Sequence, residues 1–160
     1  MTLGTTKKQI EAFNVVEPDT LTTDSPGSHI HHIEEHLHKE ANVYPTLTGG
    51  VTATSHTDAW TLGNYIEVVP ASTISSVYDI HWINVEAMSD DVTFELVLYA
   101  STTEICRVRV TGADVANARL FPSIPVITPK VAADTQIQAK VASSGAGGDT
   151  ITISLGYHTY

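Results

Sequence analysis

The chain has 160 residues, 42% of them hydrophobic, which is enough for one domain of ordinary size with a buried core. Its 18 acidic and 8 basic residues give a formal net charge of −10, which argues against nucleic acid as a partner. A single cysteine, Cys106, excludes an intrachain disulfide framework. The sequence has no run long enough to span a membrane and no signal-peptide core at its start, so we expect no membrane partner and no export by a cleaved signal.

Residues 1–28 are polar and interrupted by prolines, and their scattered apolar residues have no sustained periodicity. A segment of this kind does not fold alone, so we predict an N-terminal arm that binds a partner. The apolar residues predicted to make this contact are Ile10, Phe13, Val15, Val16 and Leu21.

Residues 29–41 are predicted to form a short helix, with Ser28 as its N-cap. Ile30, Ile33 and Leu37 follow the i, i+3, i+7 spacing of a narrow apolar seam. Three apolar positions over about three turns cannot keep a lone helix folded in water. The pattern therefore predicts that these three residues form the seam of an oligomer.

Five of the eight histidines lie in this helical segment, and His32 to His36 satisfies the H-x-x-E-H signature of inverted zinc peptidases. There His32 and His36 would bind zinc and Glu35 would act as general base. Such peptidases need a third ligand from a larger α/β domain, so we interpret the match as accidental and expect no cofactor. Three hypotheses stay open for the histidines: a solvated helix face, a metal bound across subunits, or a pH-responsive assembly.

From residue 51 onward the hydrophobic pattern has a period of two, with turn signals at short intervals. In residues 92–99, Val92, Phe94, Leu96 and Leu98 share one face, which is predicted to be core. About eight antiparallel strands without an intervening helix predict an all-β, jelly-roll-like antiparallel sandwich over residues 42–160. The predicted strands are 65–69, 77–87, 92–100, 104–111, 135–142 and 150–160, with shorter candidates at 51–54, 59–62 and 119–127.

Other candidate chemical groups lie in the strand region, but the residues around them do not form a known catalytic motif. Asp58, Asp79 and Asp149 could each join a serine and a histidine (His56, His81 or His158) in a nominal triad, but no nucleophile motif accompanies them. Asp90 and Asp91 predict a solvated hairpin turn, with a calcium ligand as the alternative. Strand aromatics such as Trp60 and Tyr65 favour core or subunit packing over a carbohydrate site.

Five sequence segments resemble a group of proteins encoded by tailed bacteriophages. They are NVYPTL (42–47), AWTLG (59–63), DIHWINVE (79–86), FELVLY (94–99) and ISLGYHTY (153–160). The resemblance covers roughly residues 30–160 and is carried by strand-packing residues. It implies a virion component, a jelly-roll module preceded by an arm and a short helix, similar to the trimeric decoration or cement proteins of capsid shells. It brings no catalytic residues.

The combined expectation is a homotrimeric capsid decoration protein that is not an enzyme. Residues 1–28 would bind the major capsid protein, residues 29–41 would join the subunits, and residues 42–160 would form the sandwich. The expected location is the capsid surface of the virion, after synthesis in the host cytoplasm. The alternative is a head-fibre or tail module that binds host glycans through an aromatic patch.

Overall fold

A computed structural model describes residues 41–46, 49–112 and 123–160, which belong to the compact unit Glu40–Tyr160. The described residues form nine strands. These strands are β1 (Ala41–Tyr44), β2 (Val51–Thr54), β3 (Ile66–Val69), β4 (Tyr78–Met88), β5 (Thr93–Ala100), β6 (Thr103–Thr111), β7 (Ser123–Pro125), β8 (Ile137–Ser143) and β9 (Thr150–Thr159). No helix within these ranges has the length and hydrophobicity to cross a membrane.

The strands form two antiparallel sheets. The five-stranded sheet has the order β1-β9-β4-β7, with β2 also paired to β9, and the four-stranded sheet has the order β3-β8-β5-β6. β1 and β2 pair with successive halves of the same strand, since Ala41 lies opposite His158 and Val51 opposite Ile153. Apart from the β5–β6 hairpin, the connections from β2 to β9 pass from one sheet to the other. This is the order of an eight-stranded jelly roll whose first strand is divided in two, so the predicted fold is confirmed.

The core lies between the two sheets and is built by strand alternation. Phe94, Leu96 and Leu98 of β5 are almost fully buried, as the sequence predicts, and Val92 packs against them. β9 contributes Ile151, Ile153 and Leu155 from the opposite sheet. These side chains supply the main driving force for folding because burying each one stabilises the fold by roughly 1.5–3 kcal/mol.

Strand β4 contains two β-bulges that change which residues face the core. Ile80 lies opposite Tyr157 and Trp82 opposite Gly156, so His81 is an extra residue without its own partner on β9. Tyr78 and Ile80 belong to the hydrophobic core before His81, whereas Ile83 and Val85 belong to it after the bulge. Glu86 is the extra residue of the second bulge, and burial then returns to Met88. The bulges re-aim the outward side chains of β4.

The structure corrects several details of the sequence prediction. Residues 59–62 form a turn and an irregular segment instead of a strand, and β1 was not predicted. Within predicted strand 119–127, the described part has a strand only at Ser123–Pro125. Asp90 and Asp91 do not close a hairpin, because β4 and β5 belong to different sheets. The predicted arm and helix lie outside the described residues, so they stay predictions.

Candidate functional site

Three potential metal-ligating side chains converge on the outer face of the five-stranded sheet. Asp79 and His158 are direct partners on β4 and β9, and His81 follows Asp79 by two residues. One ligand atom from each of the three lies within 4.8 Å of the others. Asp79 is buried and the two histidines are half-buried. We call these three residues the Asp-His-His cluster.

Hydrogen bonds fix both oxygens of the Asp79 carboxylate. His81 Nε2 lies 3.0 Å from Asp79 Oδ1, and the Tyr160 hydroxyl donates to Asp79 Oδ2 at 2.5 Å. The Lys130 ammonium stands 3.7 Å from the centre of the Tyr160 ring, a cation–π contact that holds this ring in place. A buried carboxylate is costly without partners, so these contacts compensate the desolvation of Asp79.

The backbone around the bulge is also fixed by hydrogen bonds. The Ile80 amide donates to Thr128 Oγ1 at 2.9 Å, and the Val126 amide donates to the His81 carbonyl at 2.8 Å. The segment before β8 therefore closes the open edge of the bulge. Because the cluster residues lie on paired strands, their side chains are held more rigidly than side chains on a loop would be.

The two histidine rings lie against each other and against Trp82. The His81 and His158 rings are 4.2 Å apart between centroids, and Trp82 meets His158 edge-on at 5.4 Å. Trp82 also lies against Gly156, where an added Cβ would be only 2.8 Å from Trp82 Cε3. Glycine at position 156 therefore lets the indole lie against the sheet beside the cluster.

A second surface feature lies on the outer face of the four-stranded sheet. Trp60 and Tyr65 are each about half exposed, at 50% and 49%. Tyr65 packs edge-on against Tyr99 at 5.1 Å and lies under the Lys140 ammonium, while the Arg109 guanidinium lies 5.0 Å from the Trp60 ring centre. We call these five residues the aromatic face.

The loop that carries Trp60 is pinned along β8. Trp60 donates its amide proton to the Ser143 carbonyl at 2.7 Å, and Gly63 donates to the Val141 carbonyl at 2.9 Å. Trp60 has a φ of 58°, a left-handed conformation that is unfavourable for a bulky residue. A Cβ at position 63 would lie 2.1 Å from the Thr54 carbonyl oxygen, so only glycine fits there. The exposed indole is held in place at a conformational cost, which is a feature typical of binding sites.

A groove of about 400 Å³ with a mixed polar and apolar lining adjoins Tyr65. Most of its lining residues carry a hydroxyl or amide group. Its lining residues are Thr52, Thr54, Ser55, His56, Thr57, Gly63, Asn64, Tyr65 and Ile66. A groove that combines hydroxyl groups with the face of an aromatic ring can bind a polar ligand through hydrogen bonds and ring stacking.

The charges beside the aromatic face are paired. Glu95 receives hydrogen bonds from Arg109 at 2.8 Å and from Arg107 at 2.5 Å, and both lower the pKa of its carboxyl. Glu104 accepts two further bonds from Arg107, and these lower the pKa of the Glu104 carboxyl. The same pairing raises the pKa of the Arg107 guanidinium. Arg109 is 65% exposed, so it can contact a ligand while paired with Glu95.

No protein-family model, curated protein or solved structure matches the chain. Most residues predicted from the sequence to form sites lie outside the described part of the chain. These are the seam residues Ile30, Ile33 and Leu37, the arm residues Ile10, Phe13, Val15, Val16 and Leu21, and the weak metal candidates His32 and His36.

The nominal triads separate into different environments. His56 Nδ1 lies 3.4 Å from an exposed Asp58 oxygen, whereas Asp149 accepts a hydrogen bond from Ser143. Asp79 instead contacts His81 and lies opposite His158. Sequence reasoning named these three residues but did not group them. The available signal was the Asp-x-His alternation in a predicted strand, and the missing information was which strand lies beside it.

Proposed function

We propose that the protein is a structural component of a tailed-bacteriophage virion, a homotrimeric decoration protein on the capsid surface. Residues 1–28 would contact the major capsid protein, and Ile30, Ile33 and Leu37 would join the three subunits. The sandwich would stand on the shell as a rigid block. The role is mechanical, so no catalytic residue is assigned.

The observation that carries this proposal is the jelly-roll strand order of the described residues. The resemblance of the strand segments to phage proteins implies this fold, and the described residues have it. A fold by itself does not define a function. Support also comes from the net charge of −10, which suits a protein whose partners are proteins instead of the packaged DNA.

Trimerisation would make a weak contact effective. A peptide arm that adds to a groove or sheet edge of a capsid subunit gains affinity mainly through main-chain hydrogen bonds and a few apolar side chains. Three arms on one trimer bind neighbouring capsid subunits with a large increase in effective concentration. Each arm can therefore bind modestly while the trimer ties capsomers together against the pressure of packaged DNA.

Electron microscopy of phage particles that carry and lack this gene product tests the proposal. We expect density for a trimer on the head of the complete particles and heads that lose DNA at a lower temperature when the protein is missing. Purified full-length protein should restore both properties, and protein lacking residues 1–28 should stay folded and trimeric but fail to bind. Density on a tail or fibre, or full binding without the arm, would contradict the assignment.

The aromatic face favours a second candidate, a glycan-binding module of a head fibre or tail. Trp60 and Tyr65 expose ring surface beside a groove lined by several hydroxyl groups, an arrangement that can stack on sugar rings. A glycan array with the full-length protein would then give a signal that Trp60→Ala abolishes. Ile127→Ala is the matched control, because Ile127 is 93% exposed and lies outside this face. An array without signal removes this candidate.

A further inference from the structure

We propose that Asp79, His81 and His158 bind one divalent transition-metal ion, with zinc as the test ion. These residues form the only group of three or more metal-ligating side chains within 41–46, 49–112 and 123–160 whose ligand atoms converge in this way. The inference is independent of the virion role, since it depends only on the geometry of β4 and β9.

The donor set suits zinc and its neighbours. Two imidazole nitrogens and one carboxylate oxygen are typical ligands of such ions, whereas calcium and magnesium prefer oxygen ligands alone. Zinc bonds of about 2.0–2.2 Å in a tetrahedron place ligand atoms roughly 3.3–3.6 Å apart. The Asp79–His81 separation of 3.0 Å is close to this range. All three ligand atoms lie within 4.8 Å of one another, so none of the separations has to shorten by more than roughly 1 Å. Side-chain rotation can supply that movement.

Binding has a defined proton balance. The metal would replace the hydrogen between His81 Nε2 and Asp79 Oδ1, and a neutral His81 ring would then carry its proton on Nδ1. A ring that is protonated beforehand would release one proton to solvent. The fourth coordination position would be open to water or to a donor atom from another molecule.

Residues around the cluster make hydrogen bonds that would orient the metal ligands. Tyr160 holds Asp79 Oδ2 and thereby leaves Oδ1 directed toward His81. The hydrogen bonds of Thr128 and Val126 fix the bulge that presents His81. Outer contacts of this kind orient ligands, and their loss commonly weakens metal binding by about 10–100-fold.

The test must separate this site from the five histidines at positions 29, 31, 32, 36 and 38, which can also bind zinc. We would therefore use the full-length chain with those five histidines replaced by asparagine as the background protein. After equilibration with zinc and removal of free ion, metal analysis should give one zinc per chain. Calorimetric titration with zinc chloride should show a single site.

In that background, His81→Gln and His158→Gln should each weaken zinc binding at least 10-fold. His56→Gln is the matched control, because His56 also lies beside a carboxylate, at 3.4 Å, but belongs to no such group of three. Circular dichroism would establish that each variant is folded. Tyr160→Phe, which keeps all three ligands, should weaken binding about 10-fold.

Zinc anomalous scattering from crystals of the background protein would locate the ion directly. A peak between Asp79, His81 and His158 supports the site. The proposal is overturned if the background protein binds no zinc, if the peak lies elsewhere, or if His81→Gln and His158→Gln bind as tightly as their parent.

Discussion

Trp82 and Gly156 lie opposite each other on β4 and β9, and the indole occupies the space that a side chain at position 156 would need. The pair flanks the Asp-His-His cluster, since Trp82 also contacts His158 edge-on. The absence of a side chain on one strand thus determines where an aromatic ring lies on the next.

Gly156→Ala should destabilise the protein by about 1–3 kcal/mol, because the new methyl group must displace a well-packed ring. Urea denaturation followed by circular dichroism would measure this change. Gly49→Ala is the matched control, since a Cβ at position 49 meets nothing within 4 Å. In a Trp82→Ala background the cost of Gly156→Ala should largely vanish. Equal costs in both backgrounds would contradict the contact.

Phe94→Ala should cost about 3–5 kcal/mol, because Phe94 is fully buried in the centre of the sandwich and its removal leaves a cavity. The same denaturation experiment gives the value. Ile127→Ala, at an apolar position that is almost fully exposed, should change stability by less than about 0.5 kcal/mol. Similar effects of the two substitutions would contradict the buried position of Phe94 and the exposed position of Ile127.

Glu95→Gln should make the free energy of unfolding less dependent on pH in the acid range. Arg109 and Arg107 lower the pKa of Glu95 in the folded state, so the charged carboxylate stabilises the fold above the ordinary glutamate pKa. This contribution is lost as pH falls through the lowered folded-state pKa. Denaturation midpoints of the wild-type chain and Glu95→Gln should therefore converge as the pH is lowered through this range. Midpoints that diverge in acid would contradict the assignment.

Tyr78 should titrate late in alkali, because burial raises its pKa from 10.0 to about 12, with a smaller effect from Tyr157. The neutral hydroxyl donates to the Thr135 carbonyl at 3.0 Å. Its contribution to stability is complete below pH 10 and is lost as pH rises toward 12. An ultraviolet absorbance titration of the wild-type chain should show one tyrosine that ionises near pH 12. This ionisation step should be missing from the titration of Tyr78→Phe. An unchanged titration curve would contradict this placement.

The sequence predicts the sheets better than the sites. Alternation identifies β5, and Phe94, Leu96 and Leu98 are core residues as expected, because a half-buried strand leaves a period of two. The bulge at His81 breaks this period within a single strand. An extra residue has no signature in a hydrophobic pattern, so the shift of burial from Ile80 to Ile83 could not be predicted.

The Asp-His-His cluster depends on strand pairing, which alternation does not determine. Asp79 and His158 are far apart in the chain and become partners only because β9 lies beside β4. Trp60 shows a related limit. Its strand-like neighbours predict an extended segment, whereas the hydrogen bond to Ser143 and the positive φ place it in a turn with its ring half exposed.

The central position of β9 has a consequence for the order of folding. β9 separates β1 and β2 from β4, and the Thr52–Thr152 side-chain contact spans 100 residues of sequence. Ribosomal synthesis therefore delivers the middle of the five-stranded sheet after both of its flanks. Contacts of such long range make folding slow, so we expect this sheet to assemble after translation of β9 and not progressively from the amino terminus. Until then β2 and β4 each have an edge without its hydrogen-bonding partner, and unpaired strand edges make an incompletely folded chain prone to aggregation.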